Sequence, residues 1–314
     1  MYKNILILSA GRRVELVKIF QNHAKKYRNI NIYTADSNPL HSPACQINNK
    51  FFELPKCNKR NYIDILIKKS LSNKIKLIIP TIDDELTVIS KNKEIFLKYK
   101  INVAISDLKF INKSSNKLLT KKIFDELSIK YPKIYQKNKL NYPLIIKPIY
   151  GSSSKNISII KNKDELSKSL LKNKKVYFSK YIERLKEYTI DLYYDRKNNL
   201  INLVARERLD VRNGEVIKSI TNKKLSINLF MVFKNLKDAK GPITAQLFYN
   251  HKTNDIYGIE INPRLGGGVT LSYKAGLNFP KYLIDEYINN KTIKTNLSIK
   301  DRLLLLRYEK DLIK

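Results

Sequence analysis

Over the first third of the chain, short continuous apolar runs alternate with longer stretches of helical period. Tyr2 to Ser9 is an apolar run that predicts a strand, and Gly11 turns the chain. From Arg13 to Tyr27, Val14, Leu16, Val17, Ile19 and Phe20 recur at helical spacing. The alternation continues with strands over Asn31 to Ala35 and Lys50 to Leu54, a helix over Tyr62 to Leu71 and a strand over Lys76 to Pro80. A helix over Glu85 to Tyr99 and a strand over Ile101 to Ile105 close the series. Strands that are apolar on both faces and separated by helices specify a parallel, doubly wound sheet, because helices on both sides must bury them. Ligands on such sheets bind beyond the carboxyl ends of the strands.

The pattern changes near Asn112. A helix over Lys117 to Leu127 is broken by Lys130-Tyr131-Pro132. A strand over Tyr142 to Pro148 carries Lys147 near its end, the polar loop Tyr150-Gly151-Ser152-Ser153-Ser154-Lys155 follows, and Asn156 to Ile160 resumes as a strand. Further strands are predicted over Val176 to Ile182, from Glu187 onward, and over Leu200 to Leu209. Gly241 to Asn250 and Asp255 to Ile261 read as an antiparallel pair joined by His251-Lys252-Thr253-Asn254. The chain thus combines an α/β part, residues 1–112, with an α+β part, residues 113–314.

Composition narrows the class. With 314 residues and 43% hydrophobic content the chain builds a real core, which excludes disorder. No window holds the 18 or so apolar residues of a bilayer helix, and the N-terminus is too short an apolar run for a secretory signal. Cys45 and Cys57 form no CxxC and have no paired histidines, so neither a disulfide framework nor a zinc site is expected; a reducing cytoplasm is. The formal charge of +33 invites a nucleic-acid reading, yet only 12 of the 61 basic residues are Arg and the lysines are scattered. A nucleic-acid partner is therefore not expected.

Ser9-Ala10-Gly11-Arg12-Arg13 lacks the three spaced glycines of a dinucleotide fingerprint. Arg12 and Arg13 at a helix N-terminus could hold an anion or simply be solvated. Asp83, Asp84 and Glu85 follow Thr81 as first-turn acidic residues do, with a side role at a substrate cleft. Two strands joined by the Gly151 loop can lay backbone N–H groups over phosphates, with Lys147 as a point charge; the P-loop order is absent. Glu260 and Asn262 lie two apart on one strand and project on the same face, and Gln246 on the neighbouring strand can join them. Carboxylate and amide oxygens without His or Cys suit Mg²⁺. Arg206, Arg208 and Arg212 could bind an anionic substrate or form a solvated face. Only nine glycines occur, yet Gly151, Gly266, Gly267 and Gly268 fall at these loops, which implies positive φ or close approach there.

The ordered set of Lys117, Lys147 with the Gly151-Ser152-Ser153-Ser154 loop, Glu187-Tyr188-Thr189-Ile190-Asp191, Gln246 and Glu260-Ile261-Asn262-Pro263-Arg264-Leu265-Gly266-Gly267 resembles the ATP-grasp superfamily. It is most similar to the branch of the carbamoyl phosphate synthetase large subunit. Ser9 to Arg13 and Pro80 to Leu86 resemble that branch's Rossmann-like pre-grasp domain.

The resemblance implies ATP and Mg²⁺, with Mn²⁺ as an alternative ion. It assigns the phosphates to Lys117 and Lys147, the closing lid (about 132–182) to the loop of Gly151, Ser152, Ser153 and Ser154, and adenine to the hinge at Lys180, Tyr181 and Ile182. Glu187 would take the ribose. The hinge lacks the family glycine and carries an extra residue, so Glu183 competes for that role. Gln246, Glu260 and Asn262 would hold the metal, and Arg264 with Lys147 would serve the transferred phosphoryl group. Substrate contacts fall to Arg12, Arg13, Asp84, Glu85, Arg206, Arg208, Gly266 and Gly267.

The implied chemistry is a carboxylate–amine ligase forming an amide through an acyl phosphate, on a small acid such as an amino acid or a uronic acid, and the assembly a homodimer. Amidation with ammonia, carboxylation with bicarbonate, and a non-catalytic nucleotide or nucleic-acid module are the competing readings. Phosphoryl transfer needs positioning and charge stabilisation more than a protein nucleophile, and His23, His41 and His251 fall at no motif position.

Overall fold

The computed structural model describes residues 2–151, 156–183 and 185–313. Five strands form the parallel N-terminal sheet: β1 (Asn4–Ile7), β2 (Ile32–Asp36), β3 (Phe51–Glu53), β4 (Ile75–Ile79) and β5 (Asn102–Val103), in the order β3-β2-β1-β4-β5. The strand order reverses between β1 and β4, so the crevice beyond their carboxyl ends is the place for a ligand. Helices cover both faces. The segment read from sequence as one helix is two, Asp83–Lys91 and Lys93–Lys98. Asn92 separates them: its Nδ2 donates to the Val88 carbonyl at 2.8 Å, a local bond that competes with helix propagation.

A small antiparallel sheet follows, made of β6 (Ile134–Tyr135), β7 (Leu144–Pro148), β8 (Ser158–Ile160) and β9 (Val176–Lys180) in the order β6-β9-β7-β8. It has its own core of Leu144, Ile146, Ile160 and Phe178. The largest sheet is antiparallel: β10 (Lys186–Tyr194), β11 (Leu200–Arg212), β12 (Glu215–Thr221), β13 (Gly241–Tyr249), β14 (Ile256–Asn262) and β15 (Leu304–Leu306), in the order β14-β13-β10-β11-β12-β15. The α/β and α+β architecture is the one the sequence pattern calls for. Among the described residues no helix is long and apolar enough to cross a membrane.

Candidate active site

Strand alternation builds the site on the six-stranded sheet. On β10, Tyr188, Ile190 and Leu192 face an apolar core shared with Ala245, Leu247 and Ile261, so Glu187, Thr189 and Asp191 occupy the opposite face. Register carries that polar face across the sheet. Thr189 stands opposite Gln246 and Arg206, Asp191 opposite Thr244, Gln246 opposite Glu260, and Thr244 opposite Asn262.

Asn262 Nδ2 donates to Glu260 Oε1 at 2.9 Å. One carboxylate and two amide side chains thus stand together, a donor set that suits a hard divalent cation completed by water and phosphate. Among the described residues no group of three or more His, Cys, Asp or Glu side chains is arranged to hold a metal.

Two lysines share the electrostatic environment of Glu260. Lys147 lies on β7 opposite Tyr177 of β9. Lys117 opens the helix Lys117–Glu126, whose first amides, Leu118 and Leu119, donate to the capping Asn116 Oδ1 at 3.0 and 3.3 Å. Its buried Nζ donates to the Gly151 carbonyl, which ties the loop after β7 to this helix. Burial lowers the pKa of both ammonium groups, and the Glu260 carboxylate pulls each back up. Glu187 is raised by burial and drawn down by Arg208, with which it pairs at 3.0 Å. Glu183 is exposed in the loop before β10.

At the hinge, the Lys180 amide donates to the Lys133 carbonyl at 2.8 Å and the Tyr181 amide to that of Pro143 at 3.4 Å, so two hinge amides are already committed; Ile182 is half-buried. Ser152, Ser153 and Ser154 lie outside the described residues.

The arginines divide by role. Arg206 is fully buried, its Nε donating to Asp191 Oδ2 at 2.8 Å, and Ser272 Oγ donates to the same oxygen at 2.6 Å. Arg206 is therefore taken up as a brace rather than offered to a ligand. A Cβ on Gly268 would sit 2.6 Å from Arg206 Nη1, and one on Gly266 3.0 Å from Thr244 Oγ1. These two glycines answer to close packing rather than to positive φ, and Gly267 has open space around it.

Arg13 bolts the two halves together, donating to the carbonyls of Thr81, Leu265 and Gly266 at 2.8, 3.3 and 3.4 Å. Burial and the nearby Arg264 depress its guanidinium to about 10. Arg12 is exposed and pairs with Glu215 at 3.2 Å. Arg264 forms a two-bond fork with Asp83, Nε to Oδ1 and Nη2 to Oδ2, both at 2.8 Å. Arg307 pairs with Glu215 at 3.1 Å and donates to the Gly267 carbonyl at 2.8 Å.

Sequence reasoning assigned no role to Asp191, Thr244, Glu215 or Arg307, and none to Ser9 and Tyr62. A signal existed for Asp191, a lone acid within the otherwise uncharged, largely apolar run Tyr188 to Tyr194.

A cleft of about 790 Å³ runs from Lys117, Gly151, Glu260 and Asn262 to the carboxyl ends of the parallel strands. There Ser9, Asp36, Asp84 and Glu85 line it.

Residues 5–104 match the model of the PylC-like, N-terminal domain and residues 114–268 that of the ATP-grasp domain. The chain is an ATP-grasp protein. It is 27% identical over 207 residues to the carbamoyl phosphate synthase large chain of Sulfurisphaera tokodaii, an alignment covering 58% of this chain and 19% of that one. The chain therefore spans about a fifth of the length of that relative. Among solved structures it is similar to a biotin carboxylase in a beta-gamma-ATP complex from Campylobacter jejuni, with a TM-score of 0.75 and 17% identity over 96% of this chain and 74% of the other. The biotin carboxylase domain dimer of the Hydrogenobacter thermophilus 2-oxoglutarate carboxylase, in complex with MgADP, ADP and bicarbonate, gives 0.75 at 14% identity over 96% and 73%. At such identities the likeness speaks for the ATP-grasp fold alone.

Proposed function

We propose that the chain is an ATP- and Mg²⁺-dependent ligase that joins a small carboxylic acid to an amine and releases ADP and phosphate. What supports this reading is that Lys117, Glu260 and Asn262 line one end of a cleft whose other end lies on the N-terminal sheet, with Gln246 opposite Glu260 in the sheet and Lys147 and Glu187 within reach of the Glu260 charge. In the reaction, the acid's carboxylate oxygen attacks the γ-phosphorus of ATP and ADP leaves. The neutral amine then attacks the acyl carbon, phosphate leaves with the oxygen that joined them, and the nitrogen loses a proton to the departing phosphate or solvent.

Lys117 and Lys147 would hold the phosphates as point charges, and a bound polyphosphate would offset the burial that now depresses both ammonium groups. Glu187 would accept from the ribose hydroxyls, and the Lys180 to Ile182 hinge would flank the base. Gln246, Glu260 and Asn262 would hold Mg²⁺, Mn²⁺ being the alternative. Bound there, Mg²⁺ neutralises charge on the phosphates during transfer. Arg264, held by Asp83 where the two halves meet, would face the transferred phosphoryl group. The lid over Gly151, Ser152, Ser153 and Ser154 would exclude the water that hydrolyses an acyl phosphate.

The test is ADP and phosphate release from ATP with Mg²⁺ and pooled acids and amines; no pool releasing either above background refutes the reading. Bicarbonate in the Hydrogenobacter thermophilus structure favours a second reading, carboxylation, and bicarbonate-dependent turnover without an amine would establish it. We place the enzyme in the cytoplasm, where its ATP is, and as a homodimer, which light scattering of the purified protein decides.

A further inference from the structure

The inner end of the cleft holds a carboxyl group whose bonding capacity is half used. Glu85 lines the cleft yet is only 3% exposed. Its Oε1 accepts from the Ser9 hydroxyl at 2.7 Å and from the Tyr62 hydroxyl at 3.1 Å. Among the described residues Oε2 is buried and meets no donor in ordinary hydrogen-bond geometry, although the Thr81 backbone lowers the carboxyl's pKa less than either hydroxyl does. Ser9, just past β1, adopts φ 45°, a left-handed conformation that costs a residue with a side chain, and in it the hydroxyl reaches Glu85.

The neighbouring charges do not compensate this carboxyl. Asp36 and Asp84 line the same stretch, Asp83 is already satisfied by Arg264, and Lys56 is on the rim without a hydrogen bond or ion pair to Glu85 among the described contacts. Burial, reinforced by Asp36, pushes the Glu85 carboxyl up to about 7, and burial together with Glu85 and Asp84 raises the Cys57 thiol beside it. A buried acid with a spare acceptor and no counter-ion lacks a cationic donor. A hydroxyl or amide would fill the hydrogen bond but leave the charge uncompensated; a primary ammonium group supplies both.

We propose that this end of the cleft is a subsite for a primary ammonium group on the amine substrate, with Glu85 Oε2 as its acceptor and Asp36 and Asp84 as the surrounding negative field. The proposal rests on the ligase reading for calling the ligand a substrate. It names the second substrate class as an organic amine anchored as a cation through an ammonium group other than the attacking nitrogen, in place of dissolved ammonia or bicarbonate. Binding itself requires no turnover, so the two readings fail separately.

The test is calorimetric titration of the purified full chain with 1,4-diaminobutane, using 1,4-butanediol as the neutral isostere and MgADP as an independent check that each variant is folded. The diamine should bind and the diol should not. Affinity should rise about tenfold from pH 6 to pH 8, as the carboxyl ionises while the ammonium stays protonated. Glu85→Gln should weaken the diamine at least tenfold at pH 8, flatten the pH profile and leave MgADP binding intact. Tyr62→Phe keeps the carboxylate but removes one donor that favours its charged form, so its pH profile should persist with the midpoint moved upward. Equal binding of diol and diamine, unaltered affinity in Glu85→Gln, or no heat from the diamine at any pH would overturn the proposal. Diamine binding without any ligase turnover would support the subsite and refute the ligase reading alone.

Discussion

The brace beneath the glycine loop can be probed by removing one charge. Asp191 is 0% and Arg206 1% exposed, and among the described residues Arg206 Nη1 already lacks a hydrogen-bond partner. Asp191 accepts from Arg206 Nε at 2.8 Å and Ser272 Oγ at 2.6 Å, while the Thr244 hydroxyl lies between its Oδ1 at 3.2 Å and the Arg264 carbonyl at 2.9 Å. Asp191→Asn keeps the shape and one acceptor but strands a buried guanidinium, at a cost of about 3–5 kcal/mol. For a unit of this size each kcal/mol moves the melting midpoint by about 2–4 °C, so a fall of roughly 6–20 °C is expected. Adding Arg206→Met should recover most of it, because the uncompensated charge is then gone. Circular-dichroism melts of the single and double variants measure both. A single variant melting within about 3 °C of the parent, or a double variant worse than the single, would mean that the pair is not the buried brace described.

Lys147→Ala and Glu260→Ala should each lower turnover by roughly a hundredfold or more, since each removes phosphate or metal stabilisation; near-normal steady-state rates in either would misplace the site. Asp83→Asn removes the charge that orients Arg264 and should cost on the order of tenfold in kcat/KM, while MgADP affinity stays unchanged. Glu85 sits at about 7 against an ordinary 4.5. The folded state therefore holds a proton that the unfolded chain has lost, and stability falls as pH rises from about 4.5 through 7, by about 3 kcal/mol in all. Urea midpoints between pH 5 and pH 8 should show that slope, and Glu85→Gln should lose it. Gly258→Ala would put a Cβ 2.3 Å from the Phe124 ring, an overpacking worth about 1–3 kcal/mol in thermal melts.

What could be read in advance was whatever repeats locally. The apolar runs of β1, β2 and β4 marked the parallel sheet, and the spacing of two between Glu260 and Asn262 put them on one strand face. Gln246 joined them because the four-residue connection His251 to Asn254 makes the two strands an antiparallel pair, whose register sets it opposite Glu260. Contacts made over long sequence distances were not legible. Nothing near Arg13 announces the carbonyls of Leu265 and Gly266, and nothing near Arg206 distinguishes it from Arg208, two residues on along the same face, yet one is locked to Asp191 and the other reaches Glu187. The Glu85 to Tyr99 run reads as one amphipathic helix because its period survives the break; the capping of Asn92 onto Val88 is a side-chain choice that periodicity does not record.

Arginine placement carries information that the net charge does not. The chain has used lysine for most of its 61 basic positions, as a solvated cation permits, and keeps only 12 arginines. Six of these, Arg12, Arg13, Arg206, Arg208, Arg264 and Arg307, gather on the polar sheet face or around the Gly266 to Gly268 loop. Each of four spans two or more acceptors at once: Arg264 both oxygens of Asp83, Arg13 three carbonyls, Arg208 the Thr189 hydroxyl and the Gly214 carbonyl, Arg307 Glu215 and Gly267. A lysine's single ammonium cannot hold that fork geometry. The two positions proposed to face phosphate, where a point charge suffices, are Lys117 and Lys147. The arginines around the glycine loop are mostly paired with acids, whereas Asp36, Asp84 and Glu85 line the cleft, whose opposite stretch carries Lys117. On the reading proposed above, the phosphates of ATP would meet the Lys117 end of that cleft and a cationic group of the amine substrate its Asp36, Asp84 and Glu85 stretch, with the reacting atoms between them.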